Sequence, residues 1–340
     1  MKKLVILTLA VALAAAGCSP KKEAPMAMAA GTPAYQMAKD LTAVIPSLDP
    51  DKVTVLATSK KFDVTLGDVL QMFVDSMGTQ AQGLKNLDPQ RMKTVIERAA
   101  VQIGERKLLL EAAAGAKKSA APADIEKAIQ AQYARAGGEA QYLELLKTNG
   151  VSLDYVKKSI GEDLTIRGYL DGAMAESAKV TEAEVQKAYQ EDKTATVRHI
   201  LLLTQGKTPA EKTEIHKKME DILARAKKGE DFANLAKETT EDPGSKENGG
   251  LYEDFGRGKM VKPFEDAAFS VPVGQISGIV ETTYGYHILK VENRKKETQP
   301  LEQVKPQIEA TLKQQKENAA FDVLLTGLKK KAGFQAVNIK

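Results

Sequence analysis

The spacing of hydrophobic and polar positions changes several times along the chain. Residues 4–16 form a nearly unbroken apolar run, and β-branched residues between 53 and 64 predict a short hairpin. From 65 to 192, apolar residues recur every three or four positions, which predicts helices. Between 196 and 294, two strand-like runs enclose a charged helix and turns rich in Gly and Pro, and from 300 the pattern is helical again. These patterns predict an α+β protein.

Local start signals locate the helices of the region 65–192. Thr65 opens the first helix, and Asp88 precedes a proline as an N-cap should. A third helix is predicted from Asp124 to Tyr133, and Ser152 is placed to cap a fourth. The series Thr181 to Glu184 has the form of a capping box and predicts a fifth.

The first seventeen residues are typical of an export signal. Lys2 and Lys3 precede the apolar run, which is too short to span a bilayer comfortably, and small residues end it. Cys18, the only cysteine, follows directly and can form no internal disulfide. The segment resembles a bacterial lipobox, in which Cys18 would be acylated, and Ser19 after it resembles an outer-membrane sorting signal. An ordinary cleaved signal with an incidental cysteine is the alternative.

Charge gives no argument for a nucleic-acid partner. The chain has 49 basic and 45 acidic residues, and an export signal would remove two of the lysines and none of the acids. The mature chain is therefore nearly neutral, whereas nucleic-acid binding needs a marked basic excess. We expect a soluble body held at the membrane by the lipid anchor alone.

The patterns divide the chain into five segments. They are a signal peptide at 1–17, a flexible tether at 18–40, a helical lobe at 41–192, a compact α+β unit at 193–295, and a C-terminal segment at 296–340.

The C-terminal segment is expected to complete the helical lobe. Its apolar stripe must be buried, and packing on the earlier helices is the expected solution; the stripe comprises Leu301, Val304, Ile308 and Leu312. Residues 334–339 could add a last strand beside 53–58. The lobe would then be built from both sides of the α+β unit.

Two of the three histidines mark the candidate chemistry. His199 and His287 lie in the two predicted strands that bracket the α+β unit, while His216 lies among charged residues and is interpreted as a surface side chain. No metal-ligand spacing, phosphate loop or zinc-helix motif occurs in the sequence. We therefore expect no cofactor and no metal.

Several motifs of this unit resemble the parvulin family of peptidyl-prolyl cis-trans isomerases in order and spacing. They are Val197–Leu202, Asn248-Gly249-Gly250, Phe255–Phe269, Val273-Gly274 and Tyr284–Ile288. More loosely, the flanks resemble the exported foldases of the SurA and PrsA class. The resemblance implies a parvulin-like domain, with a small antiparallel sheet and surrounding helices, plus an all-helical lobe similar to the N-terminal lobe of SurA.

The resemblance also implies roles for individual residues. His199 and His287 would order the site through hydrogen bonds, and Asp242 would lie near the substrate peptide bond. The proline ring would be held in a pocket with two further residues at its rim: Leu251, Met260 and Phe264 for the pocket, and Thr282 and Tyr284 for the rim. In place of the usual Gly-Gly-Asp-Leu-Gly, this chain has residues 249–254 with one residue inserted, which bears on the position of Leu251.

Simpler interpretations stand beside these roles. Asp242-Pro243-Gly244 is by itself a good β-turn, and Met260 and Phe264 would by themselves be ordinary core residues. The histidines could be a structural pair.

The expected function is isomerisation of X-Pro bonds in unfolded or nascent exported proteins, at the periplasmic face of the outer membrane in the bacterial envelope. The alternatives are a holdase chaperone whose parvulin unit has little or no activity, and a lipoprotein scaffold.

Overall fold

The computed structural model describes residue 22 and residues 24–339, so the predicted signal peptide and Cys18 lie outside the described residues. The chain divides into two compact units, one formed by Met1–Lys179 with Lys316–Lys340 and the other by Val180–Gln315. We call them the lobe and the catalytic unit. Within the described range, no helix combines the length and apolar character that crossing a bilayer requires.

In its described residues the structure contains eleven α-helices, two short 3-10 helices and seven strands. The lobe begins with α1 (Pro33–Thr42), β1 (Val55–Thr58), β2 (Asp63–Thr65), α2 (Leu66–Met77), α3 (Pro89–Gly115), α4 (Pro122–Arg135), α5 (Glu139–Asn149) and α6 (Leu153–Met174). The catalytic unit contains α7 (Glu182–Gln190), β3 (Asp192–Leu203), α8 (Pro209–Lys227), α9 (Phe232–Thr239), β4 (Leu251–Gly256), α10 (Lys262–Ser270), β5 (Val280–Glu281) and β6 (Gly285–Lys296). The chain ends with α11 (Leu301–Ala332), which runs from the catalytic unit into the lobe, and β7 (Gln335–Ala336).

The lobe is mainly helical and carries a small three-stranded sheet in the order β2-β1-β7. Ala57 pairs with Ala336, so the last strand lies beside the first as the sequence predicted. The predicted helix starts are confirmed. Thr65 forms a capping box with Asp68. The side chain of Asp88 accepts a hydrogen bond from the backbone amide of Arg91, and that of Ser152 accepts one from the backbone amide of Tyr155. These three strands are what a purely helical description of the lobe leaves out.

Helix α1 corrects the predicted flexible tether at 18–40. Ala34, Met37, Ala38 and Leu41 are buried on one face of α1 and belong to the lobe core with residues of α2 and α3. This spacing of one, three and four residues is that of an amphipathic helix, and the surrounding Pro, Ala and Met composition hid it. Within the range 18–40, the described residues before α1, 22 and 24–32, form no helix or strand.

The residues of the C-terminal helix α11 are half-buried or exposed throughout. The four residues of the predicted stripe are half-buried, and no residue of α11 is fully buried. Within the catalytic unit Lys305 pairs with Glu182 of α7 at 2.5 Å, and within the lobe Lys329 pairs with Glu105 of α3 at 2.8 Å.

The catalytic unit is built on an antiparallel sheet in the order β4-β3-β6-β5. Strands β3 and β6 pair along nearly their full length, from Asp192 opposite Lys296 to Leu203 opposite Gly285. Because side chains alternate between faces, each of the two strands serves two cores. One face packs on α8 and α9, and the other, which carries Val197, packs on α10.

Candidate active site

Strands β3 and β6 bring the two histidines together on the face that α10 covers. His199 is 2% and His287 4% exposed, and their rings stack at 21° with centroids 5.6 Å apart. The two Nδ1 atoms lie 3.4 Å from each other. Phe264 of α10 presents a ring edge to both histidines, at centroid distances of 5.4 and 5.5 Å. The sequence predicted this pair, and the sheet register positions it.

Asp242 closes the polar cluster from the turn after α9. Its Oδ2 lies 2.9 Å from Nε2 of His199 and accepts a hydrogen bond from the hydroxyl of Tyr252 at 3.0 Å. Ser245 also donates its hydroxyl to this oxygen. The amide of Gly244 donates to Oδ1 at 3.1 Å, so the turn that the sequence offered as a simpler interpretation is itself what aims the carboxylate.

These contacts keep Asp242 ionised. Burial by itself raises the pKa of this carboxyl, but hydrogen bonds from Ser245, His199, Gly244 and Tyr252 stabilise the anion and leave the pKa below its ordinary value. Burial and the neighbouring Asp242 charge together raise the pKa of Tyr252 to about 12, so that phenol stays a donor.

Both histidines are neutral at physiological pH. Burial lowers the pKa of His199, although the Asp242 carboxylate opposes this effect. Burial and, secondarily, repulsion from His199 lower the pKa of His287 to about 4. The cluster of the two neutral histidines and the Asp242 carboxylate therefore carries a single negative charge.

Neutral rings and an ionised carboxylate fix the direction of every hydrogen bond in the cluster. Since Asp242 can only accept, Nε2 of His199 donates to it, and Nδ1 of His199 must then accept. Nδ1 of His287 therefore donates to His199, and its Nε2 accepts from the hydroxyl of Thr282 at 2.8 Å. The result is one chain of donors running from Thr282 to Asp242.

The apolar part of the site lies beside this chain. Met260 is half-buried and packs, like Phe264, against the cluster that contains Val197 and Phe255. Tyr284 is 48% exposed, and its backbone amide donates to the hydroxyl of Thr282 at 3.1 Å. Phe264, Met260 and Thr282 are thus gathered here, with Tyr284 next to Thr282 at the surface.

Leu251 does not join this cluster. It pairs with Arg198 in the β3–β4 register, whereas Tyr252 pairs with Val197, which is on the histidine face. Because successive residues point to opposite faces, Leu251 points away from His199. Tyr252 occupies the position that the resemblance gave to Leu251; its ring lies 5.1 Å from that of His199. The one-residue insertion in the sequence was the signal for this shift.

Two residues of the site were missed by the sequence reasoning. They are Tyr252 and Ser245, whose Oγ lies 3.0 Å from Nε2 of His199. Neither belongs to a spacing pattern that marks it beforehand. Among the described residues, no three His, Cys, Asp or Glu side chains are grouped so that they could hold a metal ion.

Parts of the chain are similar to known proteins. A family model of the PPIC-type PPIase domain matches residues 180–295. The foldase protein PrsA of Geobacillus sp. strain WCH70 is 39% identical over 176 residues, covering 52% of this chain and 58% of that protein. PrsA of Caldanaerobacter subterraneus is 43% identical over 162 residues, covering 45% and 49%. The crystal structure of the peptidylprolyl isomerase PrsA of Bacillus anthracis aligns with a TM-score of 0.43 at 27% identity, covering 70% of this chain and 98% of that one.

The chain spans about half the length of the curated relatives it matches. The matched family segment contains both histidines, Asp242, Met260 and Phe264, and it lies within the catalytic unit. Residues 180–295 therefore resemble a PPIC-type PPIase domain, and over about half of its length the chain is similar to PrsA foldases.

Proposed function

We propose that this protein is a peptidyl-prolyl cis-trans isomerase that acts on unfolded or nascent exported proteins. The observation that supports it most is the buried Thr282–His287–His199–Asp242 chain, with Met260 and Phe264 on the same face. A set of neutral, mutually bonded polar groups beside an apolar socket suits a reaction in which no bond is made or broken.

The reaction asks the protein to favour a twisted imide. Rotation about an X-Pro bond breaks amide resonance, against a barrier of roughly 18–20 kcal/mol, and takes tens to hundreds of seconds unaided. A reduction of about 4 kcal/mol would accelerate it about a thousandfold. The planar amide is more polar than the twisted one, so a dry socket that fits the ring lowers the barrier.

Each part of the site has a separate role in this proposal. Met260 and Phe264 hold the proline ring, and the polarisable side chain of methionine adapts to both isomers. Both histidine rings pack against the ring of Phe264. Because their hydrogen bonds are fixed, this part of the site need not reorganise while the X-Pro bond rotates. Asp242, Thr282 and Tyr284 provide the polar wall along which the carbonyl of the preceding residue turns.

A protease-free isomerisation assay on tetrapeptides with varied residues before proline tests the proposal. We expect clear acceleration by the protein, a large loss in His287→Ala, and a raised KM in Met260→Ala. His216→Ala is the matched control, because His216 lies on α8 and its ring contacts Tyr286, outside the polar cluster. An unaccelerated reaction across the whole peptide panel would reject an isomerase function.

The proposed location is the bacterial cell envelope, with acylated Cys18 as the anchor on the periplasmic face, in the outer membrane where two membranes exist. The apolar run before Cys18 and the absence of a second cysteine support it. Intact mass measurement on the membrane-extracted protein should find the lipid at residue 18, and Cys18→Ser should release the protein. Recovery of an unmodified thiol would contradict the anchor.

A further inference from the structure

The segment before α1 is held on the lobe by Lys22. Its ammonium donates to the hydroxyl of Thr58 at 2.8 Å and to the carbonyl of Ser59 at 3.0 Å, and it pairs with Asp63 at 2.6 Å. Six residues on, the side chain of Met28 packs against the lobe core. The segment before α1 is therefore attached to the lobe at the β1–β2 hairpin from Lys22 onward.

The attachment of Lys22 to the hairpin limits how far a lipid-anchored lobe could lie from the membrane. Lys22 lies four positions after Cys18, and an extended chain spans at most about 3.6 Å per residue, or about 14 Å here. A lipid on Cys18 would therefore hold Lys22 and the hairpin close to the headgroups. The surface around the hairpin would then face the bilayer.

That surface is basic. The hairpin turn contains Lys60 and Lys61, and the backbone amide of Lys60 donates to the carbonyl of Ala332 at 2.9 Å, which places the C-terminal end of α11 beside it. Lys330 and Lys331 are exposed at this end, and the Lys60 ammonium donates to the carbonyl of Lys331 at 3.2 Å.

Acidic residues balance only part of this charge. Asp63 pairs with Lys22, Glu111 with Lys61 at 3.1 Å, and Glu105 with Lys329 at 2.8 Å. Among the described residues, Lys60, Lys330 and Lys331 have no carboxylate within ion-pair distance. These three cations remain to be neutralised by something outside the lobe.

An exposed apolar side chain accompanies the lysines. Met26 is 84% exposed and borders the same groove as Lys61 and Phe62. Its position between Lys22 and Met28, which are both held on the lobe, keeps it at this surface. A flexible apolar side chain next to ammonium groups suits the boundary between headgroups and acyl chains.

We propose that the surface formed by Lys22, Met26, Lys60, Lys61, Lys330 and Lys331, the anchor face, docks on a bilayer that contains anionic lipids. Lys60, Lys330 and Lys331 bind the headgroups, and Met26 enters the interface. The orientation rests on the proposed lipid at Cys18, but the affinity of the face for anionic bilayers does not. The lobe would thus lie on the membrane with its anchor face down.

Vesicle co-sedimentation of the mature chain from residue 18, with Cys18→Ser so that no acyl chain contributes, tests the face. Vesicles of phosphatidylcholine with one third phosphatidylglycerol should bind the protein, and pure phosphatidylcholine should bind it at least tenfold more weakly. Each lysine near an anionic surface contributes about fivefold. Lys330→Gln with Lys331→Gln should therefore lower the partition coefficient about 25-fold, and added salt should also lower it.

Lys85→Gln with Lys147→Gln is the matched control, because it removes two exposed lysines of the lobe from the Gly78–Asn86 turn and α5. Equal loss in both double variants, or equal binding to both kinds of vesicle, would overturn the proposal. So would equally strong, Lys330-dependent binding to soluble polyglutamate, which would make the face a site for acidic chains. Tetrapeptide isomerisation by the same samples reports separately on the catalytic unit, so failure of the one proposal is distinguishable from failure of the other.

Discussion

Burial makes His287 a residue that resists protonation. Its pKa is about 4 in the folded protein against about 6.5 in an unfolded chain, so between these values the unfolded state binds more protons. The contribution of His287 to the free energy of unfolding is therefore fully present above about pH 6.5. It declines by on the order of 3 kcal/mol as the pH falls toward 4. Urea unfolding of the catalytic unit at pH 7 and pH 4.5 measures this decline.

His287→Gln provides the comparison for that measurement. The variant should be less stable at pH 7 but should lose less stability on acidification. An identical decline in both proteins would mean that His287 does not titrate in this range.

Tyr252 and Leu251 give a paired prediction, because they are neighbours on opposite faces of β4. Tyr252→Phe removes the hydroxyl that donates to Asp242, and a hydrogen bond to a charged group is worth about 1.5–3 kcal/mol. We expect kcat/KM for prolyl peptides to fall about tenfold. Leu251→Ala should leave kcat/KM within about twofold; a larger effect than that of Tyr252→Phe would reverse the assignment.

The site could be predicted from sequence only where a residue belongs to a spaced motif. His199, His287 and Phe264 stand in such motifs, and the structure brings them together. Tyr252 could not be assigned because its face depends on the register of β4 against β3, which shifts between Ala195 and Val197. One extra residue exchanges the two faces of a strand, and only the tertiary structure decides where it is absorbed.

Gly250 shows how one element depends on another. Its carbonyl accepts from the amide of His199 at 2.8 Å, its φ is +75°, and a Cβ there would overlap the carbonyl oxygen of His199. Gly250→Ala should therefore displace β4 from β3 and lower isomerisation more than tenfold. Gly258→Ala is the control, since Gly258 has a φ of +78° but open space at its Cβ position. Similar activity losses would attribute the effect to backbone strain alone.

Local elements were the most predictable part of the fold. The caps at Thr65, Asp88 and Thr181 act within one helical turn, so a few neighbouring residues determine them. Helix α1 was missed because its buried face consists mainly of alanine and methionine, which also suit a linker. Contact with the lobe core, which sequence spacing does not reveal, is what makes it a helix.

At the scale of the whole molecule, the catalytic unit includes more residues than the parvulin motifs cover. The parvulin motifs end near residue 294, but the catalytic unit extends from Val180 to Gln315 because α7 packs on the segment after β6. Tyr189 donates its hydroxyl to the carbonyl of Gln299 at 2.9 Å, and Glu182 binds Lys305. Such contacts join residues more than a hundred positions apart, beyond the reach of local patterns.

The excised catalytic unit tests whether the two units act separately. We expect residues 180–315 to isomerise tetrapeptides with a kcat/KM within about threefold of the full chain, since every site residue lies inside it. Refolding of a large unfolded protein should be slower without the lobe, and a proline-free client separates holdase action from isomerisation. Loss of tetrapeptide activity in a folded fragment would mean that the lobe contributes to the site.

The hydrogen bonds around His199 also bear on whether the site could cleave a peptide bond. A serine hydrolase places its carboxylate on one imidazole nitrogen and its serine on the other, so that the ring can take the serine proton. Here Ser245 and Asp242 share the same nitrogen, and Ser245 gives its hydrogen to the carboxylate. The same three residue types are thus connected so that no nucleophile forms, and a polypeptide bound beside them would stay uncut.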